Sequence, residues 1–553
     1  MAKINIIKHQ YKEILYLIVI VLIYSLLISP YTGEFVEFGE ILAGNIKYSN
    51  LNYPGINKLD EVSGLIYLSS LYVKYFNIFE NHESINKSIV IGILINALSI
   101  ASVYKFCKII KFSNEKSFFV TISLLSFYFG NIAAYPLYYP THFFTFGQIG
   151  FYAFFLWTAQ WFNSKNFLIP FWGSAILMFL HPIYGLISCL ILIFNLFFNK
   201  NYYKLLIPIL ILLFGRYCYS DDADKRSTVI SEIDWINNTH HLFNVSVLNL
   251  CILSIIIIIV VYELNKINKQ KSMIILFISI FLFVLILLGS KFSHIIPNEL
   301  VRVIYRANFG RFYDFYILAS AIFLFKYLIK KESEHSYQSK AAMLFMCFPL
   351  PVFWGMPHIY IYQFIFTTTF KLCIVSLISH GKFDKLILNK YIYGFLNFRM
   401  EIIIIGFIGF YLLGININHK YDANNEIYSG EIIRNLRANQ ITSIITPGRV
   451  HGIEGLNVQI ATNLPVWVPF NDAIDIYCGL NNLGDYKKYV SEIRSCFSSR
   501  TVMQWQNICE KIGNFAILDF TANNISVKGS VIFNGNGITV YKVCNSQDFN
   551  HIN

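Results

Sequence analysis

Apolar stretches of about twenty residues recur along the first 416 positions, and a chain patterned this way has few ways to fold. In hydrocarbon every backbone N–H and C=O must find its partner within the protein, so continuous apolar runs of this length cross as helices. Spans are predicted near 13–29, 88–107, 117–135, 143–162, 167–180, 183–198, 204–219, 246–264, 273–290, 312–329, 341–356, 359–379 and 400–416. The pair inside 167–198 is short for two independent crossings and reads as a hairpin of shallow helices or one long tilted helix. The chain is therefore an α-helical polytopic membrane protein of about 11–13 spans.

Composition agrees. A soluble protein needs about a quarter of its residues charged, whereas here 14% are charged, 55% are hydrophobic and the mean hydropathy is +0.51. The net charge of +12 does not point to nucleic acid, because the lysines lie in short loops between apolar runs. Lys3, Lys8 and Lys12 precede the first span, and Lys105, Lys108, Lys111 and Lys116 fill the next loop of the same parity. Lys200 and Lys204, then Lys266, Lys269 and Lys271, then Lys330, Lys331 and Lys340, then Lys382, Lys385 and Lys390 continue the series. Every second loop is Lys-rich, the positive-inside pattern of a cytoplasmic membrane protein with its N-terminus in the cytoplasm. The apolar run at 14–29 has no small-residue cleavage site and reads as a retained first span.

The loops of opposite parity are 30–87, the short 136–142, 220–245, 291–311 and the tail from 417. Counting 63–79 as a span would invert the lysine pattern, so that one-sided apolar stretch is expected as an interfacial helix. The expected division is a transmembrane domain over 1–416 with the external loop 30–87, and an extracytoplasmic domain over 417–553. A helical signal at 426–440 and β-branched runs at 441–446, 464–468, 515–520 and 530–543 make the latter a small α/β domain. Cys478, Cys496, Cys509 and Cys544 all fall in it, as suits export to an oxidising compartment. Four cysteines allow three pairings, which the sequence leaves open.

Chemistry concentrates in the external loops. Glu34, Glu37 and Glu40 are spaced by three among aromatics directly after the first span, so on a helix they share one face. A carboxylate at the membrane surface beside apolar groups suits a general base, and a solvated helix start is the plainer reading. His181-Pro182 puts an imidazole where proline breaks the helix at the external edge of two apolar segments. Arg302 and Arg306 are four apart and project together on a helix, and Arg311 follows just before the next span. External arginines run against the positive-inside trend, and a guanidinium fork matches a phosphate bidentately. Snorkelling to ordinary headgroups is the alternative. Tyr138, Tyr139 and Trp235 are candidates for stacking on a sugar, or members of an interfacial aromatic belt. The acids and histidines of 220–245 match no standard metal spacing, and no GxGxxG, P-loop or zinc pattern occurs.

This layout resembles the GT-C superfamily of membrane glycosyltransferases. Its members combine many spans with an acidic residue in a long first external loop that carries interfacial helices. Many add a soluble C-terminal domain on the same side and use a polyprenyl-phosphate-linked sugar as donor. The resemblance implies Glu37 as the catalytic base, being central in its triplet, with Glu34 and Glu40 as the other candidates. It implies Arg302, Arg306 and Arg311 as the donor-phosphate ligands and His181 as a substrate-binding residue at the helix break. The chain departs from the family in carrying spaced glutamates where an Asp or an Asp-Glu pair is usual. It also lacks WWDYG, which argues against oligosaccharide transfer to protein.

The implied activity is inverting transfer of one sugar (a hexosyltransferase) to a cell-envelope glycan or lipid-linked saccharide at the outer face of the membrane, as in O-antigen modification. A divalent metal is compatible with this but not indicated, and no other cofactor is expected. A polysaccharide polymerase or ligase would use external arginines equally well. A flippase for lipid-linked saccharides would place charge near the bilayer midplane, where these spans have almost none.

Overall fold

The computed structural model of the chain describes residues 64–79, 84–114, 146–218, 247–291, 312–328, 431–445, 502–519, 529–535 and 538–544. It also describes the pairs 128–129, 137–138 and 466–467 and isolated positions among 15–43, 117–124 and 462–495. The predicted spans 341–356, 359–379 and 400–416 lie outside the described residues, and of 13–29 only Leu15, Ile18, Val21 and Leu22 are described, all helical.

The predicted apolar runs that lie among the described residues, 117–135 apart, fold as helices close to their predicted limits. These are α1 (Gly64–Phe79), α2 (Ser84–Ile109), α3 (Phe146–Asn163), α4 (Leu168–Leu180), α5 (Pro182–Phe198), α6 (Leu206–Cys218), α7 (Val247–Ile267), α8 (Lys269–Lys291) and α9 (Asp314–Leu328). Within them Val90–Ile109 and Lys269–Ile286 are long and apolar enough to cross a bilayer, and α4, α5, α6 and α9 are shorter apolar helices. Leu94, Trp172, Ile255, Ile258 and Ile280 stay more than half exposed on the outside of the bundle, a face that suits lipid and not water. Hydroxyls inside it turn back on their own helices: Ser102 donates to Ser99 O at 2.7 Å, Thr158 to Phe154 O at 2.9 Å and Ser188 to Gly185 O at 2.7 Å. That removes the cost of carrying a free donor into an apolar interior.

One prediction is corrected. The span expected over 117–135 is helical at Ser117, Val120, Thr121 and Leu124, but Tyr128–Phe129 is a short strand (β1) antiparallel to Leu137–Tyr138 (β2). Aromatic residues favour the extended backbone, which suits Tyr128 and Phe129 to a strand. The two options for 167–198 are also resolved: α4 and α5 are separate helices hinged at His181, which is extended at φ −148° and ψ 101°.

The core is aromatic. Phe106 of α2 stacks on Phe155 of α3 at 4.7 Å between ring centroids, and Phe155 meets Phe315 of α9 at 5.6 Å. Trp157 of α3 lies against Gly173 of α4 and donates from Nε1 to Pro170 O at 2.8 Å. Glycine also sets the α4–α5 hairpin: a Cβ at Gly185 would stand 2.3 Å from the Met178 Cα.

The lysine-rich ends of the helices gather at one end of the bundle. Lys271 at the start of α8 donates to Trp161 O, Phe162 O and Ser164 O at the end of α3, where the helix leaves its carbonyls unpaired. Glu263 near the end of α7 is fully buried and accepts from Lys266 and, at 2.6 Å, from Lys326 of α9. α2 and α5 end alike, on Lys111 and Lys200 at positive φ (66° and 55°), with Phe112 N donating to Cys107 O and Asn201 N to Leu196 O.

The C-terminal segments form a five-stranded sheet in the order β4-β3-β5-β7-β6, from β3 (Ser443–Ile445), β4 (Val466–Trp467), β5 (Phe515–Asp519), β6 (Ser530–Gly535) and β7 (Ile538–Lys542). β3 is parallel to β4 and β5, and β7 is antiparallel to β5 and β6. The four β-branched runs read from the sequence are these strands. α10 (Glu431–Ala438) covers one face through Ile432 and Leu436, packed with Ile444, Ala516 and Leu518. α11 (Val502–Ile512) carries Trp505, which meets Phe515 of β5 at 5.7 Å. β5 is buried along its whole length. Of the pairings left open, the structure forms Cys509–Cys544, tying α11 to the residue two beyond β7.

Two outcomes are expected. The Cys509–Cys544 bridge spans 35 residues, so Cys509→Ser should cost the domain about 3–4 kcal/mol and show as faster limited proteolysis of the tail. Glu263→Gln removes the charge that answers two lysines and should lower the melting temperature of the purified protein, with Lys326→Met in the same background recovering part of the loss.

Candidate active site

At the end of the bundle away from the lysines, α3 begins, α4 ends, α5 begins and α9 begins, and the first-loop segment packs there as well. Phe35, Val36, Gly39 and Glu40 are helical and buried. Phe35 and Val36 form a cluster with Leu65 of α1, Ile91 and Ile95 of α2 and Ile149 of α3, with Leu180 against its edge. The acidic segment thus has one apolar face sunk into the bundle, and Glu40 is carried down with it to 1% exposure.

Three glycines make the close approaches on which this assembly rests. A Cβ at Gly39 would lie 2.6 Å from Ser69 O, so the acidic segment touches the backbone of α1. A Cβ at Gly64 would lie 2.4 Å from Phe179 O, so α1 touches the last turn of α4. A Cβ at Gly150 would lie 2.5 Å from the His181 Cδ2, so the imidazole lies on the bare backbone of α3. Acidic segment, α1, helix break and α3 are held in sequence by contacts that only a missing side chain allows.

His181 is 7% exposed, and its ring meets that of Tyr184 at 4.9 Å. Pro182 at the first position of α5 lacks the N–H that a helix start would leave unpaired, and His181 N still donates to Leu177 O at 2.7 Å. The break therefore costs little backbone bonding. Tyr184 stacks in turn on Phe154 at 5.3 Å, and Phe154 meets Phe312 at 6.0 Å. Phe312 stands just before α9, so the start of that helix reaches α3, on which His181 is seated.

Of the residues predicted from the sequence, the structure brings together the Glu40 segment and His181. Tyr138 lies in β2. Glu34, Glu37, Arg302, Arg306, Arg311, Tyr139 and Trp235 lie outside the described residues. No group of histidine, cysteine or carboxylate side chains suited to a metal occurs among the described residues.

The structure adds Asp314, which the sequence reading passed over. It sits in the first turn of α9, 4% exposed, next to Phe315, which meets Phe155 of α3 at 5.6 Å. A carboxylate three residues after Arg311, at the start of an apolar run, was the available signal.

No family model matches the sequence, and no curated protein matches it. Among solved structures the chain is similar to the crystal structure of ArnT from Cupriavidus metallidurans in the apo state. The two share 10% identity over 97% of this chain and 98% of that one, with a TM-score of 0.47.

Gly150→Ala should displace the His181 imidazole and lower the melting temperature of the purified protein, and His181→Ala in the same background should recover part of the loss by making room for the added methyl group.

Proposed function

We propose that the chain is a GT-C-type glycosyltransferase that takes a sugar from a polyprenyl-phosphate donor at the outer face of the cytoplasmic membrane. The acceptor is the hydroxyl of a cell-envelope glycan or lipid-linked saccharide. The observation that carries this reading is the meeting of the acidic first-loop segment with the His181 break at the end of the bundle opposite the lysines. A donor in the bilayer and an acceptor in water can meet only at such an end, and the positive-inside rule makes it the external one. The C-terminal domain, its Cys509–Cys544 bridge suited to an oxidising compartment, lies on that side in this reading and orients the acceptor.

The reaction is an inverting displacement. A first-loop glutamate, Glu37 before Glu34 or Glu40, takes the proton of the acceptor hydroxyl as its oxygen attacks the anomeric carbon. The bond from that carbon to the phosphate oxygen breaks, and the polyprenyl phosphate leaves with the electron pair. Arg302, Arg306 and Arg311 meet the charge that grows on the phosphate. Glu40, with its segment packed on α1, suits a role in holding the triplet more than one in meeting the acceptor. His181, Tyr138, Tyr139 and Trp235 are the residues assigned to sugar contact.

A flippase is a weaker reading. Among the described residues of the bundle, the buried carboxylates Glu263 and Asp314 lie at opposite ends of it, and the first is already paired with lysine. Neither marks a charged path across the bilayer.

The test is transfer from a radiolabelled polyprenyl-phosphate sugar to crude envelope acceptor in membranes holding the wild type, Glu37→Gln or Arg306→Ala. Wild-type transfer should fall about 100-fold or more in each variant. Full activity in Glu37→Gln moves the base to Glu34 or Glu40, and no transfer by the wild type from any of several donor sugars rejects the reading.

A further inference from the structure

Between Glu115 and Asp221 the sequence holds no aspartate or glutamate, and α3, α4, α5 and α6 all fall in that stretch. Lys165, Lys200 and Lys204 nonetheless gather where α4 begins, α5 ends and α6 begins. The described carboxylate at this end of the bundle, Glu263, is buried and already accepts from Lys266 and Lys326. The corner formed by α4, α5 and α6 therefore carries positive charge that none of their own side chains answers.

The 3-10 turn Tyr202–Lys204 joins α5 to α6 and fixes where one ammonium sits. Lys204 N donates to Asn201 O at 3.1 Å and Leu205 N to Tyr202 O at 3.0 Å. Lys204 Nζ stands 5.8 Å from the centroid of the Phe167 ring and 5.4 Å from that of Tyr203. Ring faces attract the charge and hold the side chain, but they supply no acceptor oxygen. The side chains of Lys200 and Lys204 form no ion pair or hydrogen bond with any described residue, so both ammonium groups keep donors for an acceptor from outside.

Around these cations the surface is apolar. Leu168 of α4, Phe197 of α5 and Tyr203 are more than half exposed. So are Leu206, Leu210 and Leu213, which are spaced by four and three and share one face of α6. Lysines and a tyrosine at the head of an exposed leucine face match the layering of a lipid, with the charged group above and the chains below.

We propose that the corner formed by Lys200, the Tyr202–Lys204 turn and the exposed face of α6 binds an anionic phospholipid of the leaflet at the lysine-rich end. The phosphodiester accepts from Lys200 and Lys204, and the acyl chains lie along Leu206, Leu210 and Leu213. A zwitterionic lipid brings its own cation to the phosphate and gains less from two lysines, so the site selects for net negative charge. The positive-inside pattern puts this end in the cytoplasm, against the leaflet that carries anionic lipid. The inference does not depend on the reaction proposed above.

The experiment titrates the full-length protein in neutral detergent with phosphatidylglycerol, or with phosphatidylcholine of the same acyl chains, and reads the melting temperature. Phosphatidylglycerol should raise it to a plateau, and phosphatidylcholine should raise it less. Lys200→Gln and Lys204→Gln should each weaken the phosphatidylglycerol midpoint about fivefold, and the double variant about 25-fold. Lys204→Arg should keep the midpoint. Each variant is compared with its own melting temperature in detergent alone, so a loss of folding stability does not count as a loss of binding. Lys111→Gln, which removes the same charge at the end of α2, should leave the midpoint unchanged. Equal shifts in Lys111→Gln and Lys204→Gln overturn the local site in favour of a general attraction to basic surface. Equal stabilisation by the two lipids overturns the selection for charge. Stabilisation by glycerol phosphate, which has no chains, equal to that by phosphatidylglycerol overturns the lipid in favour of a free phosphate.

Discussion

A helix in hydrocarbon closes its own backbone hydrogen bonds, and a polar site cannot be opened in its middle without leaving some of them unpaired. The described part of this bundle obeys that constraint throughout. Interior hydroxyls such as those of Ser102 and Thr158 fold back onto their own helix carbonyls, and the break at His181 falls at an end where Pro182 has no donor to lose. The chemistry that remains is pushed to the two ends, and the two ends are unlike. One carries lysines that cap helix carbonyls and pair with Glu263; the other carries the acidic segment, an imidazole and Asp314.

At the second end the decisive contacts are those of backbone with backbone or with a ring. Gly39, Gly64 and Gly150 each admit a neighbour where a methyl group would collide. Such contacts are short and leave little slack, so the acidic segment and the helix break are placed by packing and not by long, mobile side chains. Segments held on rigid elements in this way keep their geometry better than loops alone.

The aromatic core serves the same end. Phe106, Phe155 and Phe315 join α2, α3 and α9 in one interlocked group, and Phe154 extends it to Tyr184 and Phe312. α3 is the common member. It bears the seat of His181 on one side and the support of the Asp314 turn on another, so it sets the distance between them.

Much of this was open to inspection in the sequence, because its causes are local. Apolar length predicts the helices, lysine parity predicts which of their ends gather, and the four β-branched runs of the tail predict the strands, each within a few residues. The strand pair at 128–138 was missed because an aromatic run reads as a span by hydropathy whatever its backbone does. Asp314 was missed because burial of a carboxylate depends on what packs against it, and a single chain position does not reveal its neighbours. The choice of Cys509–Cys544 among three pairings belongs to the same class, since it follows from α11 lying beside the end of β7. The sequence by itself determined what must be helix and which ends carry charge, for those follow from transfer energies and periodicity along the chain. Only the tertiary structure decided that the Glu40 segment, Gly150 and His181 share one end of the bundle, because proximity between residues far apart in the chain is settled by which faces pack.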